Sequence, residues 1–127
     1  GEMARGLAAR GAKVAVLDLN AQAAGTVCGQ IAAAGGTAVP VEVDVLKKAS
    51  IEDAFRRATD ALGPIDALVN GAGGNRKQAT CVPPETTFFG LDGDAVRWVF
   101  ELNCMGTILP SQVFKIVSIA VQHIHGL

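Results

Sequence analysis

The chain has no tyrosine, one tryptophan, two histidines, and three widely spaced cysteines, Cys28, Cys81 and Cys104, that never form a C-x-x-C pair. So few imidazoles and no cysteine pair argue against a metal site, and reduced thiols in a cytosolic, cytoplasmic protein are the expectation. The absence of tyrosine removes the phenol from the available proton donors. Only 18% of residues are charged and the net charge is −1, so nothing electrostatic favours nucleic acid or an anionic membrane as a partner. No apolar run reaches the roughly 20 residues that span a bilayer, and no secretory signal pattern is expected at the start. What the chain does have is a 50% apolar composition, enough for one packed domain in its 127 residues.

The pattern of apolar residues alternates between two periods. Met3, Leu7 and Ala8 share one helical face, with Gly11 placed to end that helix. Val14 to Leu17 reads as a short strand stopping at Asp18. Asn20 is suited to cap a second helix, in which Ala24, Val27, Cys28 and Ile31 recur at i, i+3, i+4 and i+7. Gly35 and Gly36 end it, and Thr37 to Val43 reads as a strand whose Pro40 indicates an edge position. Ser50 and Asp53 have the spacing of a helix cap and an acidic third position. Ile51, Ala54, Phe55, Ala58 and Leu62 then form a buried stripe, stopped by Gly63-Pro64. The next apolar run, Ala67 to Val69, reads as a third strand. Helix and strand in alternation imply an α/β fold with a doubly wound parallel sheet and helices on both faces.

That third run ends in Asn70-Gly71-Ala72-Gly73-Gly74, where small residues alone follow the strand. Ligands of open α/β sheets bind beyond the carboxyl ends of strands, and side chains larger than methyl would hold a flat ligand off the backbone there. Residues 71–93 are polar and aperiodic, a long loop of the kind that tends to be functional. Asp94 then opens a helix apolar on most sides, from Val96 and Trp98 to Val113 and Phe114, with a local kink expected at Pro110. All-round apolarity implies burial on more than one face, hence a subunit interface. The helix is expected to run to about residue 117, with the remainder ambiguous between strand and helix.

Three strand ends thus carry polar or small residues: Asp18-Leu19, Asp44-Val45 and Asn70 to Gly73. A carboxylate at Asp18 can accept hydrogen bonds from both hydroxyls of a ribose, though a solvated turn residue is the alternative. Asp44 could accept from an adenine amine while the Val45 amide donates to the ring. Gly1 opens a helix whose free N–H groups could face a pyrophosphate, the alternative being an arbitrary first residue.

In order and spacing, residues 1–114 resemble the short-chain dehydrogenase/reductase family. Leu62-Gly63-Pro64-Ile65-Asp66-Ala67-Leu68-Val69-Asn70 is nearly diagnostic by itself, and Asn70-Gly71-Ala72-Gly73 resembles the family's Asn-Asn-Ala-Gly signature, with glycine for the second asparagine. The resemblance implies an incomplete Rossmann-like domain over residues 1–127 that binds NAD. Gly1 would be the last glycine of the family's Thr-Gly-x-x-x-Gly-x-Gly loop. Asp18, with Leu19, would favour NAD over NADP by repelling a 2′-phosphate, and Asp44-Val45 would contact adenine. Asn103, after Leu102, would be the catalytic asparagine that orders a water in a proton relay. Asn70 to Asn75, Thr87-Phe88-Phe89 and Asn103 to Phe114 further resemble a branch assigned to sugar acids, of the mannonate or fructuronate reductase kind.

The same resemblance marks what is missing. The family's serine, tyrosine and lysine would follow the helix bearing Asn103. Ser111 and Ser118 do not match that serine in position, Lys115 has no tyrosine four residues before it, and His123 and His125 read as a solvated tail. The family's first strand would lie between the strands at Val14 and Ala67, so those two are expected roughly 10 Å apart unless they pair directly or another chain fills the gap. The expectation is an inactive, marginally folded part of an oxidoreductase whose parent takes a small-molecule substrate, with a homo-oligomer contact through the 94–114 helix. A non-catalytic product that binds nucleotide or docks on a full-length subunit is the alternative.

Overall fold

The computed structural model describes residues 1–115. Helix α1 (Glu2–Ala8) leads into strand β1 (Lys13–Asp18), helix α2 (Ala21–Ala33), strand β2 (Thr37–Glu42) and helix α3 (Lys48–Leu62). After a long connection come helix α4 (Gly93–Phe100), one π-helical turn (Glu101–Met105) and helix α5 (Gly106–Phe114). The alternation expected from the apolar periods is present through α3.

β1 and β2 run parallel in register, with Lys13 opposite Thr37 and Asp18 opposite Glu42. Helix α1 contacts α2 and β1, whereas α3 contacts both strands and α5, which places helices on both faces of the sheet. Pro40 lies opposite Val16 on a strand paired on one side only, where its missing N–H is harmless. The main core lies between the sheet and α3 with α5. Val41, Val43, Ile51, Ala54 and Phe114 are buried, flanked by Leu17, Val39, Val45, Phe55, Ile65, Leu68 and Leu109. The rings of Phe55 and Phe114 meet edge to face at 5.0 Å between centroids, a favoured aromatic geometry. On the other face Ala8 of α1 and Ala24, Cys28 and Ile31 of α2 are buried.

Helix ends follow local chemistry. Asn20 Oδ1 accepts from Ala23 N at 3.0 Å, the cap expected at that position. Gly63, at φ +89°, ends α3 in a backbone conformation that a side chain would strain.

Four expectations are corrected. Ala67 to Val69 is not a strand: the sheet among the described residues has two strands, and residues 65–70 carry no ladder. A strand is defined by hydrogen bonds to a neighbour about 4.8 Å away, and β1 pairs only with β2, so its apolar run has nothing to bond to. Consistent with that one-sided pairing, no residue of β1 is buried. Ser50 is not a helix cap, since α3 begins at Lys48; its Oγ instead accepts from Asp44 N at 2.9 Å. Helix α4 opens at Gly93, one residue before the expected Asp94, and is capped by Asp92, which accepts from Ala95 N at 2.8 Å. Finally, the long apolar helix continues through a π-turn before Pro110, helical dihedrals holding at both junctions, and ends at Phe114 rather than near residue 117, with Lys115 left-handed at φ +48°. Pro110 has no N–H for an i−4 carbonyl, and the wider turn lies one helical turn before it. The expectations for Ser118, His123 and His125 lie outside the described residues.

Candidate functional site

The loop after residue 69 is held by one side chain on the facing helix. Asn103 sits in the π-turn, where the widened backbone projects it toward the loop. Its Nδ2 donates to the carbonyls of Gly74 and of Val99, each at 2.7 Å, and its Oδ1 accepts from Gly74 N at 3.2 Å. One Nδ2 bond and the Oδ1 acceptor therefore fix the loop, while the bond to Val99 O ties the side chain to its own helical segment, so the Asn103 side chain is a positioning group here.

That clamp explains the small residues. A Cβ on Gly73 would lie 2.7 Å from Asn103 Oδ1, closer than carbon and oxygen approach without something moving. A Cβ on Gly71 would meet Met3 Cε of α1 at 3.7 Å, and one on Gly106 would meet Val45 Cγ2 at 3.2 Å and Ala72 Cβ at 3.9 Å. The loop thus lies beside the helical segment bearing Trp98, Leu102, Asn103 and Gly106, with Val45 close to Gly106. Asn70 is fixed as well: its Nδ2 donates to Ser111 Oγ at 3.0 Å, which in turn donates to Thr107 O at 2.8 Å.

The other expected residues sit at the neighbouring strand ends. The Val43 amide donates to Asp18 O at 3.0 Å, so Asp18 and Asp44 flank one junction. Asp18 is exposed, with Oδ1 accepting from Asn20 N at 2.9 Å and Oδ2 turned to no protein donor among the described residues. Asp44 is more engaged. Lys47 Nζ stands 2.9 Å from its Oδ2 and Leu46 N donates to its Oδ1 at 3.1 Å. These two hydrogen bonds, Lys47 first, hold its carboxyl below the ordinary range. Leu19 is exposed, and Gly1 stands exposed at the start of the seven-residue α1.

Structure thus brings Gly73, Gly74 and Asn103 together, sets Val45 and Ala72 beside Gly106, and puts Asp18 and Asp44 at one strand junction, while Gly1 and Leu19 are exposed. Sequence reasoning missed Ser50, which orients the Asp44 backbone, and Ser111, which holds Asn70. Ser111 follows Asn103 by two turns, and that helical spacing was the available signal. It also missed Arg76, whose guanidinium lies 4.0 Å over the Trp98 ring.

Small residues beyond an apolar run, beside the end of a parallel sheet covered by helices, are the arrangement at which open α/β folds bind ligands. The family model of the short chain dehydrogenases matches residues 1–117, and the chain belongs to that family. Among curated relatives it is 39% identical over 121 residues to an uncharacterized oxidoreductase of Haemophilus influenzae, and 42% identical over 120 residues to an uncharacterized oxidoreductase, UxuB, of Bacillus subtilis. Each alignment covers 88% of the chain but only 42% and 43% of those proteins, so the chain spans less than half their length. Among solved structures, a protein from Haemophilus influenzae assigned as a D-mannonate oxidoreductase, with bound NAD, superposes at TM-score 0.83 with 37% identity. That match covers 90% of this chain and 44% of that one. A hydroxysteroid dehydrogenase from Escherichia coli superposes at TM-score 0.72 with 31% identity over 89% of this chain and 44% of its own.

Among the described residues no three His, Cys, Asp or Glu side chains cluster as a metal site would require, and no helix is long and apolar enough to cross a membrane.

Proposed function

We propose that this chain is the NAD(H)-binding portion of an oxidoreductase that interconverts a secondary alcohol and a ketone on a sugar acid. The single observation carrying it is the clamp of Asn103 on Gly74, which fixes a loop of small residues that would serve a planar ring as a shelf. The solved relative with NAD supports the choice of cofactor, and its assignment to D-mannonate supports the substrate class.

The residues present fit a dinucleotide. Asp18 Oδ2 is available to a ribose diol, while its charge disfavours a 2′-phosphate. Val45 and the Asp44 backbone, held by Ser50, stand at the strand end suited to an adenine edge. Asn70 to Gly73 provide the shelf. When bound, the nicotinamide ring supplies the hydride acceptor or donor. The chain's own part is to bind and orient, since it has no tyrosine to serve as proton donor. The 127 residues alone are accordingly inactive.

Calorimetric titration tests this reading. The chain binds NAD and binds NADP more weakly, and Asp18→Asn narrows the gap between them. Absence of NAD binding refutes the reading, and alcohol-dependent reduction of NAD by the chain refutes its inactivity.

A second reading, docking on another subunit, is favoured by the exposed apolar side chains Phe100, Met105 and Ile108 on the α4–α5 helix pair. Sedimentation of wild type against Phe100→Asp checks it, with a loss of association expected.

A further inference from the structure

We infer that Arg76, held over Trp98, is the group that recognises the substrate's carboxylate; the inference rests on the sugar-acid oxidoreductase reading above. The chain has six arginines, and the other five each have an acceptor. Arg5 pairs with Glu2 and donates to Gln30, and Arg10 donates to Gly6 O. Arg56 and Arg57 both meet Asp53, and Arg97 meets Asp94. Arg76 alone donates its guanidinium to no described side chain or carbonyl and forms no ion pair with a described carboxylate; it stacks on an indole instead.

That geometry is prepared in advance. The contact at 4.0 Å restrains the guanidinium over the indole while no described acceptor takes its N–H groups, and a planar fork matches a carboxylate in bidentate fashion. The backbone at this point is fixed too. Asn75 Oδ1 accepts from Arg76 N at 2.8 Å, and Thr80 Oγ1 donates to Arg76 O at 3.0 Å. The same hydroxyl accepts from Asn75 Nδ2 at 2.9 Å. Less side-chain and backbone entropy therefore remains to be lost when an anion arrives.

Position selects the ligand. Trp98 is the common support: a Cβ on Gly74 would lie 3.6 Å from its ring, and Gly74 is the residue that Asn103 clamps. Arg76 is thus one side chain, Trp98, removed from the clamped loop. An anion reaching it from the shelf is a substrate carboxylate a few bonds from the reacting carbon. The other anion available is the dinucleotide's own pyrophosphate, and the experiment separates the two.

The 127-residue chain is titrated calorimetrically with NADH, then, saturated with NADH, with D-mannonate and with uncharged D-mannitol. Wild type is compared with Arg76→Ala, Arg76→Lys and Arg76→Met, the last keeping an apolar stem on Trp98 and carrying the test if the alanine variant does not fold. Expected is a loss of D-mannonate affinity of about 10- to 100-fold in the alanine and methionine variants, the usual range for a charge-assisted hydrogen-bonded contact. D-mannitol and NADH affinities stay unchanged, and lysine restores only part, because an ammonium neither stacks nor forks. Unchanged D-mannonate affinity in the variants, or no D-mannonate binding by NADH-loaded wild type, overturns the assignment while leaving the cofactor reading intact. A fall in NADH affinity in the variants overturns it in favour of the pyrophosphate. No NADH binding by wild type overturns the functional reading and this assignment with it.

Discussion

Replacing Gly73 by alanine tests whether the Asn103 clamp is what keeps the loop small. The new Cβ would stand 2.7 Å from Asn103 Oδ1, against the 3.4 Å at which ordinary contact begins. Relief requires a displacement of about 0.7 Å of either the loop or the amide. Since Gly74 N already stands 3.2 Å from Oδ1, such a shift takes that bond out of range and loosens the 2.7 Å bond from Nδ2 to Gly74 O. Two partly solvated bonds between helix and loop contribute about 1–2 kcal/mol together. Gly73→Ala and Asn103→Ala are each expected to destabilise by about that amount. In the Asn103→Ala background nothing remains for the Cβ to strike, so Gly73→Ala adds about zero, or stabilises by roughly 0.5 kcal/mol through the unfolded chain. Urea unfolding followed by the fluorescence of Trp98, the single tryptophan, measures all four corners of the cycle. A coupling of at least about 1 kcal/mol is expected; additivity within about 0.5 kcal/mol refutes the clamp.

Other outcomes follow from single groups. Asp44 is held below its ordinary value of 3.8 by Lys47 and Leu46, so its stabilisation is complete above that value and is lost as pH falls through the lower folded one. Asp44→Asn therefore lowers the melting temperature at pH 7 and flattens its decline below about pH 4; parallel melting profiles for the two proteins contradict this. Cys28 is 6% exposed and burial raises its thiol pKa, whereas Cys81 and Cys104 are exposed. With a thiol-reactive dye at pH 8, two thiols react in the native chain and Cys28 only after unfolding, so a third fast thiol argues against that burial. Asn20→Ala removes the cap of α2 and is expected to cost about 1 kcal/mol by thermal unfolding, a value near zero indicating that Ala23 N finds water equally well.

Much of the fold was legible because local rules decided it. Asn20, Gly63 and the stripe Ile51, Ala54 and Ala58 act through their own helices, and each is found where its period or cap chemistry put it. The third strand was misread because Ala67 to Val69 has the composition of a strand without a bonded neighbour, and composition contains no information about neighbours. The helix starts at Lys48 and Gly93 were misread for a related reason. Ser50 and Asp94 are both competent caps, and which polar residue caps depends on where the incoming chain turns.

The site divides the same way. Sequence alone determined that residues 71–74 are small and follow an apolar run, that Asp18 and Asp44 stand at or just past strand ends, and that no phenol is present. It thereby determined the family, because those residues stand at fixed separations along the chain. Only the tertiary structure decided what presses against them. Asn103 lies 29 residues from Gly74 and Ser111 lies 41 from Asn70, so no local pattern joins them. The physical reason is directional: hydrogen bonds and close contacts depend on where side chains point once helices pack. A glycine that looks like a turn residue in the sequence becomes, in the folded chain, the one position where Asn103 leaves no room for a methyl group.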